Sequence, residues 1–130
     1  MALKRTLRLR KNSDFQRVRQ QRRSVSSRLL ILAWASSDNR ALNADANPRI
    51  GFVVGKRISK RAVERNYIKR LLGEAIRPVL ADLPGGMDIV ISAKNQVIIG
   101  SDLHILRHDI AILLRRAQLL PSARPSEAGR

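Results

Sequence analysis

Eight lysines and arginines fall between Lys56 and Arg77, in the stretch KRISKRAVERNYIKRLLGEAIR, against two acids, Glu64 and Glu74. Cations at this density do one kind of chemistry well: they bind the anionic groups of a partner. Spacing decides whether they act together. Wound as a helix at about 100° per residue, Ile68, Leu71, Leu72, Ala75 and Ile76 fall within one arc, with Glu64 at its margin. Asn66, Arg70, Gly73 and Arg77 recur at i, i+4, i+7 and i+11 on the opposite side, with Lys69 beside them. Arg61 and Arg65 flank the apolar arc. One side can dock on a core while the other presents cations and a carboxamide outward. The competing reading is a solvated surface. Such surfaces mix signs and gain support from acid–base pairs four residues apart. Here most cations have no acid to meet, which favours a polyanion-binding face.

Other chemistry is poorly supplied. Hydrolysis by the protein itself needs clustered carboxylates for metal ions or a placed histidine base, and the ten acids are scattered. Asp88 opens an apolar run and could bind a metal, but no second acid is close in sequence. His104 and His108 have the i, i+4 spacing that can hold a metal on a helix, yet no Glu completes an HExxH pattern. A surface pair is the preferred reading. With no cysteine, disulfides, thiol chemistry and the usual cysteine-containing zinc sites are excluded.

Net charge narrows the partner. The 130 residues carry +16, and that much self-repulsion calls for a counter-charged partner: nucleic acid, an anionic membrane or an acidic protein. No run approaches the roughly 18 apolar residues of a membrane span. Interfacial basic helices usually carry bulky aromatics, and only Phe15, Trp34, Phe52 and Tyr67 are aromatic. Nucleic acid leads, with no membrane. The basic start MALKRTLRLRK lacks the apolar core of a secretory signal, and an organelle transit peptide is the minor reading.

The elements that must position these groups form one domain over 1–120. Residues 1–11 are expected to be a basic, mobile arm and 121–130 a disordered tail. Asn12-Ser13-Asp14 supplies N-cap candidates for a first helix through about Gln20, with Phe15 and Val18 apolar and Arg17, Arg19, Arg22 and Arg23 around them. Phe15 reads either as a small core anchor or as a stacking platform. Arg28 to Ala35 and Arg49 to Val54 read as strands, paired most simply as an antiparallel hairpin across the polar loop Ser36 to Pro48. Ile50, Phe52 and Val54 share one strand face, and Gly51 leaves an open spot on the other. Ser59 is the expected N-cap of the basic helix, and Pro78 suggests a stop or kink at Arg77. A turn at Leu83 to Gly86, a strand from Met87 to Ala93, a connector over Asn95 to Gly100 and a helix capped by Ser101 or Asp102 complete the body. Helix, strand, strand, helix, strand, helix is an α+β order.

The string AVERNYIKRLLGEAIR, preceded by RIGFVVGKR, closely resembles the signature of the bacterial ribonuclease P protein subunit. The match falls on Ala62-Val63, Arg65-Asn66, Lys69-Arg70 and Glu74, with LRKNSDFQRV resembling the family's first helix and DIVISA its last strand. It covers roughly Leu9 to Leu114. Tyr67 and Gly73 stand where the family usually has Arg, Ser59 to Arg61 reads one residue longer than usual, and Arg19 and Ala33 occupy places where relatives can carry aromatics.

The resemblance implies an αββ(β)αβα two-layer sandwich of the ribosomal-protein type, with a left-handed strand–helix–strand crossover where the general rule is right-handed. It implies a non-catalytic subunit of an endoribonuclease, with Mg²⁺ bound mainly by the catalytic RNA that cleaves precursor tRNA. It implies a cytoplasmic protein with no obligate protein partner. Carried onto this chain, Arg65, Asn66, Lys69 and Arg70 contact catalytic RNA, and Lys56, Arg57, Lys60 and Arg61 form the entrance to that surface. Phe15, Arg19, Phe52 and Val54 line a cleft for the single-stranded 5′ leader. The alternatives are a structural RNA-binding protein of the same fold, or a protein-only nuclease, which the scattered acids disfavour.

Overall fold

The computed structural model describes Leu9, residues 12–36 and residues 48–120. The expected N-terminal arm, apart from Leu9, the interior of the long polar loop and the C-terminal tail lie outside the described residues. The elements run α1 (Asn12–Gln20), β1 (Ser24–Ser26), β2 (Leu30–Ser36), β3 (Arg49–Val53), α2 (Ala62–Ile76), β4 (Met87–Ala93) and α3 (Leu103–Arg116). This is a mixed α+β fold, and β1 is the strand that the element count from periodicity misses. Three residues, Ser-Val-Ser, are too few to show alternation.

The four strands lie in the order β1-β2-β4-β3. β1 and β2 form the antiparallel hairpin, closed by a Ser27 turn whose Oγ accepts from the Leu29 and Leu30 amides. The expected hairpin between β2 and β3 does not form. β4 inserts between them, antiparallel to β2 and parallel to β3. The reason is burial. β4 reads MDIVISA with almost no alternation, as a strand covered on both faces must. Placing it centrally covers Ile89 and Ile91 on one face and Asp88 and Val90 on the other, all buried.

On one face Leu30, Leu32, Ile50, Ile89 and Ile91 pack under Ile68, Leu72 and Ile76 of α2 and Leu106, Ile110 and Leu113 of α3. This is the larger core and the two-layer body. On the other face Val18 and Phe15 of α1 pack with Ala33, Ala35, Val53 and Val90. The small residues Ala33, Ala35 and Gly51 bring α1 close. A Cβ on Gly51 would lie 2.5 Å from Phe15 Cζ, so the open spot opposite Gly51 holds the Phe15 ring.

Two local expectations change. Ser59 does not cap α2: Arg61 is the N-cap residue, and Ser59 Oγ accepts from the Arg61 amide at 3.1 Å. Gly73, placed on the polar face by periodicity, is buried. It offers only backbone, which long side chains a turn away can shield. Before Pro78, α2 ends at Ile76 and tightens into a 3₁₀ helix over Arg77–Asp82. Asp102 caps α3, accepting from Ile105 N at 2.9 Å.

Candidate nucleic-acid interface

Residues 55–61 leave β3 through a turn closed by Ile58 N donating to Gly55 O at 3.0 Å. The buried Ile58 side chain roots this loop in the core. Its cations, Lys56, Arg57, Lys60 and Arg61, are all exposed. A guanidinium nitrogen of Arg65 donates to Ser59 O at 2.9 Å, and Gln96 Nε2 donates to Arg57 O at 3.4 Å. So the loop is held from three sides while its charges stay in water.

Along α2, Asn66, Lys69 and Arg70 are exposed and Arg65 is half-buried. Arg65 therefore has a mixed role: one donor fixes the loop, and the rest of its donor fork remains. On this helix Glu74 pairs with Arg77 at 3.3 Å. No side chain caps the first turn of α2. Its first-turn amides and the four loop cations thus gather at one end of the helix, an arrangement that favours an anion.

The expected cleft residues also come together. Phe15, Arg19, Phe52 and Val54 line one groove of about 340 Å³ with Asn12, Gln16, Val53 and Lys69. Val53 was missed because strand parity assigns it to the face opposite Phe52. Parity does not decide here, because β3 is the edge strand of the described sheet. Among the described residues its only strand neighbour is β4. A groove touched by α1 from one sheet face and by α2 from the other must pass round that open edge. Leu9 N donates to Ile50 O at 2.8 Å, so the Ile50 carbonyl points away from β4. By alternation the Phe52 peptide groups point the same way, toward the groove.

A second feature was not read from the sequence: α1 is tied to the sheet by charge. Asp88 is fully buried at the start of β4. Arg49 Nε donates to its Oδ1 at 2.9 Å and Arg49 NH2 to its Oδ2 at 2.8 Å, while Arg17 of α1 donates to the same Oδ2. Asp14 lies 3.5 Å from Arg49 and 3.6 Å from Arg17. The Asp88 hydrogen bond raises the Arg49 pKa above the ordinary arginine value, against the opposing effect of burial. Arginines are thus among the partners of Asp88. The only sequence signal was a lone acid inside an apolar run. His104 and His108 are exposed and border a separate groove with Arg28, Leu29, Ile105 and Asp109. No group of three or more metal-ligating side chains forms among the described residues.

Fold and surface define the class: a strongly basic α+β protein whose cationic helix and groove meet at Lys69. Comparison narrows it. The Ribonuclease P family model matches residues 3–118. A ribonuclease P protein component of Chloroflexus aurantiacus is 39% identical over 120 residues, spanning 92% of this chain and 84% of that one. Another, from Xanthomonas oryzae, is 37% identical over 117 residues, spanning 90% and 74%. Among solved structures, the Staphylococcus aureus RNase P protein superposes with a TM-score of 0.74 at 24% identity, covering 88% of this chain and 98% of that one. The Thermotoga maritima RNase P protein, solved in complex with 1-(4-fluorophenyl)-2-thiourea, gives 0.69 at 25% identity, covering 84% and 98%. The chain belongs to the ribonuclease P protein family, whose members are protein components of an endoribonuclease complex of tRNA processing.

Proposed function

We propose that this protein grips the catalytic RNA of ribonuclease P through α2 and the loop before it, and holds the 5′ leader of precursor tRNA in the groove between α1 and β3. The observation that carries the reading is the position of Lys69. It stands on the cationic helix and also lines the groove, so the two RNA-facing surfaces are continuous.

Lys56, Arg57, Lys60, Arg61, Arg65, Lys69 and Arg70 contact phosphates, and Asn66 adds a directed donor and acceptor. In the groove, Phe15 and Phe52 offer ring surface, Val54 an apolar wall, Arg19 and Lys69 charge, and the open β3 edge backbone groups. Stacking and phosphate contact tolerate any sequence, which suits leaders that differ between precursors. Mg²⁺, held mainly by the catalytic RNA, would activate the attacking water and stabilise charge at the scissile phosphate. The protein raises affinity for precursor over mature tRNA and offsets repulsion between two RNAs. This work belongs in the cytoplasm and needs no further protein partner.

Reconstitution tests the reading. The full chain mixed with catalytic RNA at low Mg²⁺ is expected to restore removal of the leader at the mature 5′ end. RNA binding without stimulation would point instead to a structural RNA-binding protein of the same fold. Cleavage by the chain alone would overturn the assignment of chemistry to RNA.

A further inference from the structure

Six large apolar side chains are exposed among the described residues, and two of them sit one turn apart on α2: Val63, 78% exposed, and Tyr67, 55% exposed. With half-buried Leu71 they make a ridge at i, i+4 and i+8 along the helix. Asn66 and Arg70, both exposed, flank the ridge on the side away from the core. Tyr67 is the only tyrosine in the chain.

We propose that Tyr67, backed by Val63, stacks on an unpaired base of the RNA held by α2, a reading that rests on the function proposed above. An aromatic ring offers its face to any base. Asn66 and Arg70 beside it supply what the adjoining sugar and phosphate require. The charge on the chain selects this occupant over a second copy. Two protomers at +16 each repel, and one ridge of two exposed side chains falls far short of the roughly 1,200 Å² of a stable interface. The resemblance places arginine at position 67, and exchanging it for tyrosine trades a salt-dependent phosphate contact for a stacking contact. Base stacking releases no counterion, so the two contributions separate in a salt titration.

The test measures affinity of the full chain for the catalytic RNA across a salt series. Tyr67→Leu keeps bulk and helix propensity but cannot stack. It is expected to weaken binding about 5- to 100-fold at every salt concentration with an unchanged slope of log K against log salt. Tyr67→Phe should stay within about twofold of the parent, and Tyr67→Arg should steepen the slope by about one counterion. Tyr67→Leu binding as the parent does, while Arg70→Ala still flattens the slope, would reject stacking and leave the α2 interface standing. A parent chain that does not bind the RNA would reject both. A concentration-dependent dimer abolished by Tyr67→Leu, with RNA affinity intact, would make the ridge a self-association surface and also overturn the proposal.

Discussion

Asp88→Asn is the substitution that most directly tests how α1 is positioned. The carboxylate is fully buried and accepts two bonds from Arg49 and one from Arg17. Asparagine keeps the shape and one acceptor oxygen but removes the charge and leaves an amide facing guanidinium donors. Breaking a fully buried ion pair by removing one partner costs about 3–5 kcal/mol. Here the arginine side chains are 18% and 24% exposed, so water recovers part of that, and about 2–3 kcal/mol is expected. For a domain of this size that lowers Tm by roughly 10 °C. Urea unfolding followed by emission of Trp34, the only tryptophan, measures it. Arg17→Met in the same cycle isolates the tie to α1. The cost of Asp88→Asn should fall by about 1 kcal/mol or more when Arg17 is already gone. The pH dependence has a definite sign. A base whose folded pKa is raised stabilises fully below its unfolded value and loses that contribution only as pH rises through the folded one. Arg49 is raised above the arginine range, so its share is constant through neutral pH and disappears only in strong alkali. A change under 0.5 kcal/mol for Asp88→Asn, or strict additivity with Arg17→Met, would refute the network as the tie that holds α1.

Gly51→Ala places a Cβ 2.5 Å from Phe15 Cζ and should cost about 1–2 kcal/mol in denaturant unfolding despite alanine's better strand propensity. In a Phe15→Ala background most of that cost should vanish. Arg70→Ala should weaken RNA binding and flatten its salt dependence by about one counterion, with stability unchanged. Arg65→Ala should do the same and also lower stability by about 1 kcal/mol, because its bond to Ser59 O is lost. Asp102→Ala removes the α3 cap and should cost about 1 kcal/mol in thermal unfolding, with RNA affinity unaffected.

What was legible in the sequence was local. The 3.6-residue rhythm of α2 correctly places Ile68, Leu72, Ala75 and Ile76 in the core, and the apolar run from Met87 to Ala93 is a strand with the bounds its composition suggests. The candidate residues on α2 and its loop stand at the surface because charge and amphipathicity are properties of one segment. What was not legible depends on pairs distant in sequence. Arg17 and Asp88 meet across 71 positions, and no window contains both. Gly73 was misplaced because periodicity reports direction, whereas burial of a glycine depends on what its neighbours cover. The β2–β3 hairpin was the simplest joining of two consecutive strands, and it failed because a third strand has more apolar surface to hide. A signal for that existed: MDIVISA is apolar on both faces, which marks a central strand with helices on either side.

That strand order shapes the candidate site. In a sheet laid out in chain order, β3 would sit between two partners and its backbone groups would be spent on ladders. No surface could then pass from α1 to α2 along it. With β4 inserted, β3 becomes the edge of the sheet formed by the described residues, a position that ordinarily invites unwanted pairing. Two features limit that hazard: Leu9 takes the Ile50 carbonyl, and α1 and Lys69 flank the remainder as the groove begins at Phe52. Among the described residues, the stretch beyond Ile50 is short, lined by Phe15, Phe52, Val53 and Val54 and bordered by Arg19 and Lys69. An incoming protein strand would have to replace both the charges and the ring surface of Phe15, whereas a single nucleic-acid strand brings bases for the rings and phosphates for the cations. Under the function proposed above, this edge favours a polyanion with flat bases over an incoming protein strand.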